Sequence, residues 1–281
     1  MSRLVRKVVP MNSLHEQGRR SAYEISRWFR EERLARKVVI HPDPGFILGM
    51  QKSGTSAVAG LLSLRTGTPV ASDLAREWRK CTLVRASKSE RAFARYVRRN
   101  AVDFSRRIVK EPGLTFVFDR LAARWPEARS LIVVREPVAT IRSIVDRLGL
   151  PGDADARAVD MLEKIPQAWH AVLDNRWLDV ESDHYIDQLA DRWCIAAEMA
   201  IEAREHRMTI RYEDFVVDKI RVLDEIAGHF ELPVVADIDA FLEVPFQPPG
   251  RRDDPKIVFG ENLDRIERRT ARLSQRLGYP A

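Results

Sequence analysis

The feature that most restricts this chain is Gly49-Met50-Gln51-Lys52-Ser53-Gly54-Thr55-Ser56, set between the apolar run Phe46-Ile47-Leu48 and the helix-forming stretch Ala57 to Leu64. A strand running through a tight loop into a helix aims backbone N–H groups and the positive end of a helix dipole at one point, which makes an anion site. Gly54 permits close backbone approach, Ser53, Thr55 and Ser56 add hydroxyl donors, and Lys52 adds a full charge. A nucleotide-triphosphatase loop reads G-x-x-x-x-G-K-[ST]. Here the two glycines keep that spacing, but Thr55 stands where the lysine belongs and Lys52 precedes the second glycine by two residues. Gly-Thr-Ser is also an ordinary helix start, which is the purely structural alternative.

Further along, apolar runs alternate with helical patterns. Ile108-Val109 reads as a second strand, followed by a helix through Leu121; Leu131-Ile132-Val133-Val134 is a continuous apolar strand, as one buried on both faces should be, and Val138 to Leu148 follows as a helix. Such alternation implies a parallel sheet with right-handed crossovers. The second half reads as helices over 158–178, 184–206, 218–230 and 261–277, with one strand at Met208 to Tyr212 and a proline- and arginine-rich loop from Pro245 to Pro255. The expected fold class is therefore α/β: a parallel sheet flanked by helices, with a largely helical second half. Residues 1–40 read as an N-terminal helical extension, broken from the body by Pro42-Asp43-Pro44-Gly45, and 41–281 as a single α/β domain.

Composition narrows the function classes. With 45% hydrophobic and 31% charged residues the chain can build a core and is too mixed for disorder. No run approaches the ~20 apolar residues of a membrane span, and the basic start lacks the apolar block of a secretory signal. Two cysteines, Cys81 and Cys194, make no disulfide framework, so a cytoplasmic protein is expected. The net charge of +6 favours anionic ligands without implying nucleic acid. The basic stretch from Arg76 to Arg107 recurs at helical spacing opposite Phe93 and Val97, as a solvated helix face does. The six histidines show no metal spacing, and no metal is expected.

A second motif follows the best strand. In Arg135-Glu136-Pro137 the proline suits the first turn of a helix, and Ser143 falls in its second turn, so Arg135 and Ser143 can converge on one anion. Arg135 also stands where an aspartate would hold magnesium beside a triphosphate.

Together these motifs resemble the sulfotransferases that use 3′-phosphoadenosine 5′-phosphosulfate (PAPS), over most of the chain from about Gly45 onward. Gln51-Lys52-Ser53-Gly54-Thr55-Ser56 is similar to that family's 5′-phosphosulfate loop, with Gln51 where proline is common. Arg135 with Ser143 is similar to its 3′-phosphate site, with Glu136 in place of the more usual aspartate. Arg211-Tyr212-Glu213-Asp214 resembles the segment whose tyrosine lies near the adenine, and Leu277-Gly278-Tyr279-Pro280 the close of many bacterial members. The resemblance implies a P-loop NTPase-like three-layer sandwich. It also implies transfer of a sulfuryl group from PAPS to a hydroxyl of a glycan, lipid or small molecule, leaving 3′,5′-adenosine bisphosphate (PAP) without a metal.

It further implies roles for single residues. Lys52 would stabilise the departing phosphate. Lys110, in Val109-Lys110-Glu111-Pro112, resembles a lysine that holds donor or transition state. Arg251 and Arg252 occupy a loop that often supplies a cation to the 3′-phosphate, and Lys256 could serve equally. No histidine closely follows Lys110, so the base expected is Asp73, with Glu111 as its competitor and Glu77 as a solvated residue. Asp73 could instead cap a helix, and Glu111 could be an ion-pair partner. Two other readings stay open: a P-loop kinase of a small metabolite, which predicts dependence on magnesium and ATP, and a non-catalytic nucleotide- or nucleic-acid-binding module using the basic 76–107 stretch.

Overall fold

A computed structural model describes residues 37–74, 76–77, 81–244 and 253–280. The expected N-terminal helix over 14–36 and Arg251 and Arg252 lie outside the described residues. Five strands form one parallel sheet in the order β2-β3-β1-β4-β5: β1 Gly45–Gly49, β2 Val70–Ser72, β3 Ile108–Lys110, β4 Ser130–Val134 and β5 Arg207–Arg211. β1 lies at the centre, with Phe46 opposite both Val109 of β3 and Ser130 of β4.

Both faces of the sheet are covered, which accounts for the unbroken apolar runs. Phe46, Leu48, Val109, Ile132 and Val134 face one layer with Phe93, Phe104 and Trp125; Ile47, Ile108, Leu131 and Val133 face the other with Val58, Leu62, Leu223 and Ile226. Alternate side chains of one strand point to opposite faces, so each strand serves two cores. The helices include α1 Thr55–Thr66, α2 Glu90–Arg99, α3 Phe118–Arg124, α4 Pro137–Leu148, α5 Tyr185–Ile201, α6 Tyr212–Val217, α7 Lys219–His229, α8 Pro255–Phe259 and α9 Asn262–Arg276, besides short turns of helix at Leu83–Ala86, Ala158–Leu162 and His170–Leu173. The basic stretch does put a helix there: α2 buries Phe93, Tyr96 and Val97, with Ser89 accepting from the Ala92 N–H as its cap. α5 and α9 are zipped by Arg265 and Arg269 on Asp187, and by Arg269 on Asp191. Cys81 and Cys194 are free thiols, and no described helix is long and apolar enough to cross a membrane.

The structure corrects three local expectations. Residues 158–178 are not one helix but short pieces, Ala158–Leu162, Gln167–Trp169, His170–Leu173 and Arg176–Leu178. Pro166 cannot donate within a helix, and Asn175 is fully buried with its Nδ2 given to the carbonyls of Val172 and Gln188, which pins the chain out of helical register. Tyr212 begins α6 instead of ending β5. The helix expected between the Ile108-Val109 strand and Leu121 begins as a 3-10 turn, Pro112–Val117, that runs into α3. The edge strand β2 is an addition that no sequence pattern announces.

Candidate active site

Strand order places the site. The chain leaves β1 toward β2 on one side and β4 toward β5 on the other, and the crevice opens beyond the carboxyl ends of the strands where these directions diverge. A cleft of about 1510 Å³ lies there, lined by Gln51, Lys52, Gly54, Thr55, Ser56, Asp73, Lys110, Glu111, Arg135, Ser143 and Tyr212. The described residues expected to form a site thus come together, except Ser53, which is buried beneath the loop. Lys256 also reaches the cleft.

The loop is held in an unusual shape. Gly49 (φ 139) passes so close to β4 that a Cβ would lie 2.4 Å from the Val133 carbonyl oxygen. Its N–H donates to Thr115 Oγ1 at 2.8 Å, and the same hydroxyl donates back to its carbonyl at 3.0 Å. Lys52 adopts φ 71, a left-handed conformation that costs a non-glycine residue about 1–3 kcal/mol. Gly54 (φ 100) lies flat against the Tyr212 ring; its Cβ would fall 2.1 Å from Cδ2. Among the described residues no side chain caps α1, so its first N–H groups are open to a ligand. The simple helix-capping alternative therefore does not describe this loop. Ser53 Oγ is buried and has no hydrogen-bond partner among the described residues.

Charge concentrates at the loop. Lys52 has its pKa lowered, first by burial and then by the nearby positive charges of Arg147 and Arg135. Arg135 donates to the Lys52 carbonyl at 3.2 Å and lies 5.1 Å from the Tyr212 ring centroid. Glu136 is consumed in capping α4, accepting from the N–H groups of Val138 and Ala139, and its own N–H donates to Glu213 Oε1. Glu213 Oε2 accepts from the Tyr279 hydroxyl at 2.9 Å, while the Arg211 guanidinium packs over the Tyr279 ring and donates to the Gly278 carbonyl. The Gly-Tyr-Pro tail is thus a strut behind the Arg135 corner.

On the other side of β1, Lys110 is 1% exposed and donates to Ser56 Oγ at 3.0 Å and to Asp73 Oδ1. Asp73 is left-handed (φ 61) and its N–H donates to the Lys110 carbonyl, so it is held in a turn and caps no helix. Its Oδ2 has no partner among the described residues. Among the described residues Glu111 has no ion-pair partner: its two oxygens accept from the N–H groups of Leu74 and Gly113. Burial first, and the Asp73 charge second, push its carboxyl up to about 7. Glu77 is not simply solvated, since it holds the hydroxyl and N–H of Thr82.

Among the cleft residues outside the sequence motifs, one is almost fully buried and charged. Arg192 of α5 is buried, with its guanidinium 3.6 Å from the Phe116 ring centroid and its Nε donating to Gln51 Oε1. The sequence does carry a signal for it, because 192 falls on the buried stripe Tyr185, Leu189, Ala196 and Ala200, where an arginine is out of place.

No family model matches the sequence, and no curated protein matches it. Solved structures do. A sulfotransferase from Mycobacterium avium superposes with a TM-score of 0.52 at 13% identity, covering 91% of this chain and 82% of that one. A sulfotransferase from Mycobacterium tuberculosis H37Rv gives 0.48 at 16% identity over 88% and 80% of the two chains, and one from Alicyclobacillus acidocaldarius 0.45 at 17% over 85% and 97%. At such identity the likeness is one of backbone alone, and the Mycobacterium avium superposition agrees with the five-stranded parallel sheet described above: this chain has the sulfotransferase fold.

Proposed function

We propose that this chain is a PAPS-dependent sulfotransferase that moves a sulfuryl group onto a hydroxyl of an acceptor, a glycan, lipid or small molecule, in the cytoplasm. The observation that carries the reading is the gathering of Lys52, Arg135 and Arg147, with Asp146 as the acidic charge bearing on Lys52, beside the N-terminus of α1, which no described side chain caps; the excess of positive charge there suits an anionic ligand. The residues fit the donor: no described side chain caps the first N–H groups of α1, and Gly54 leaves the loop flat beneath Tyr212.

Lys52 and the first N–H groups of α1 would hold the 5′-phosphosulfate, Arg135 and Ser143 the 3′-phosphate, and Tyr212 would lie beside the adenine. Arg251, Arg252 and Lys256 are the further cations for the phosphate end. The donor supplies an activated sulfuryl group whose sulfur–oxygen bond to the 5′-phosphate breaks as the bond to the acceptor oxygen forms. Lys52 neutralises charge gathering on the departing phosphate, and a sulfuryl group carries less negative charge than a phosphoryl group, so lysine and backbone donors suffice. Asp73 takes the acceptor proton on its free Oδ2 while Lys110 fixes the other oxygen. Glu111, with both oxygens on main-chain N–H groups, holds the Asp73 turn in place.

Calorimetric titration tests the reading: wild type and Arg135→Ala against PAP and against ATP with magnesium. Wild type should prefer PAP, and the variant should lose roughly 10- to 100-fold in affinity, the range of a charge-assisted hydrogen bond. Preference for ATP, or an unchanged variant, would remove it. Asp73→Asn should keep PAP affinity and lose about 10²- to 10⁴-fold in turnover; near-normal turnover would transfer the base role to Glu111.

A further inference from the structure

Two cations of the cleft are almost completely buried, and they are treated differently. Lys110 carries its own carboxylate, Asp73. Arg192, 1% exposed, has only neutral partners: Gln51 Oε1 at 3.3 Å, the Ala171 carbonyl at 2.9 Å and Asn175 Oδ1 at 2.5 Å. Among the described residues no carboxylate lies within ion-pair distance of it, and its Nη2 has no partner there although the residue lines the cleft. Desolvating a guanidinium without a counter-charge costs several kcal/mol, and burial accordingly lowers its pKa to about 9.

Its charged surroundings differ from those of Lys52, although its Nε bond to Gln51 ties it to the loop that carries Lys52. The charges bearing on Lys52 are Arg147, Arg135 and Asp146, whereas the titratable group bearing on Arg192 is Cys81, which lines the same cleft. Aromatic packing by Phe116 and Trp177 holds the guanidinium in position. A brace between α5 and residues 171–175 needs donors but no charge; an amide would serve. The charge and the spare Nη2 are left over for a ligand.

We propose that Arg192 binds an anionic group of the acceptor, and that the acceptor is a hydroxy-carboxylate with an apolar body. Nη2 takes the carboxylate, joined by Nε when Gln51 releases its long bond; planar forked donors match a planar oxyanion. Leu83, Trp169 and Val172 of the cleft wall meet the apolar body. The inference rests on the sulfotransferase reading for the word acceptor, and on Arg192 alone for the anion.

The test uses the full chain saturated with PAP. 12-Hydroxydodecanoate and 4-hydroxyphenylacetate are each titrated against their primary amides in wild type, Arg192→Met and Arg192→Lys. Wild type should bind the acids about tenfold tighter than the amides. Arg192→Met should bind both alike, Arg192→Lys should keep part of the preference, and PAP affinity should stay within about twofold throughout. Equal affinities in wild type, no measurable binding of the acids, or an undiminished preference in Arg192→Met would overturn the proposal. Wild-type crystals soaked in iodide give a readout free of folding defects: an anomalous peak at Nη2 is expected, and its absence also overturns the proposal. Failure of wild type to bind PAP would instead sink the sulfotransferase reading, with the iodide peak still deciding the anion site.

Discussion

Gly54→Ala probes the contact on which the Tyr212 end of the cleft is built. Two penalties act at once. At φ 100 an alanine is strained by about 1–3 kcal/mol. Its Cβ would also lie 2.1 Å from Tyr212 Cδ2 and 2.4 Å from Cε2, so the ring must move, an overpacking cost of about 1–3 kcal/mol. The sum, about 2–6 kcal/mol, is a large share of the ~5–15 kcal/mol that holds a domain together. For a chain of this size it corresponds to a fall in Tm of roughly 4–24 °C. Because the Arg135 guanidinium lies 5.1 Å from the same ring, PAP affinity should fall as well. Urea titration of Gly54→Ala, Tyr212→Ala and the double variant separates the terms: with the ring gone, only the backbone part, about 1–3 kcal/mol, should remain. A loss below about 1 kcal/mol in the wild-type background, or the same loss in both backgrounds, would refute the assignment of Tyr212 as the obstacle.

Thr115→Val leaves the buried N–H and carbonyl of Gly49 without their shared hydroxyl partner and should cost about 2–3 kcal/mol by urea unfolding, with Thr115→Ser near wild type; a loss under about 0.5 kcal/mol would remove the clamp. Glu111 gives a pH signature of known sign. Its folded pKa is raised from 4.5 to about 7, so the native state holds a proton that the unfolded chain releases between those values. Stability from this group therefore falls as pH rises through that window, by up to about 3 kcal/mol. The stability difference between wild type and Glu111→Gln, measured near pH 4 and pH 8, should shift by that amount; a constant difference would contradict the burial of this carboxyl.

What the sequence makes legible depends on locality. The β1–loop–α1 unit and the β4–Arg135–α4 unit each carry their information in one contiguous stretch: an apolar strand, a glycine or proline at the turn, then helical periodicity. Asp73 and Lys110 stand out only through a family resemblance, for their ion pair joins separate strands and no spacing rule reveals it. β2 is three residues at a sheet edge, too short for alternation to register. The breakage of 158–178 turns on Asn175, whose partners Val172 and Gln188 include a residue of another helix. Arg192 goes unseen because arginine is ordinarily assigned to water, and what keeps it dry is Phe116 of one segment and Trp177 of another.

The Tyr279–Glu213–Glu136 strut has a bearing on how the molecule is made. A ribosome delivers Lys52 and Arg135 early, yet the tyrosine that steadies their corner emerges only after every strand of the sheet has been synthesised. Pairings of such long sequence separation are slow to form. Until they do, the Arg135 corner of the nascent chain lacks its brace, and an anion supplied at that stage would act as a folding aid.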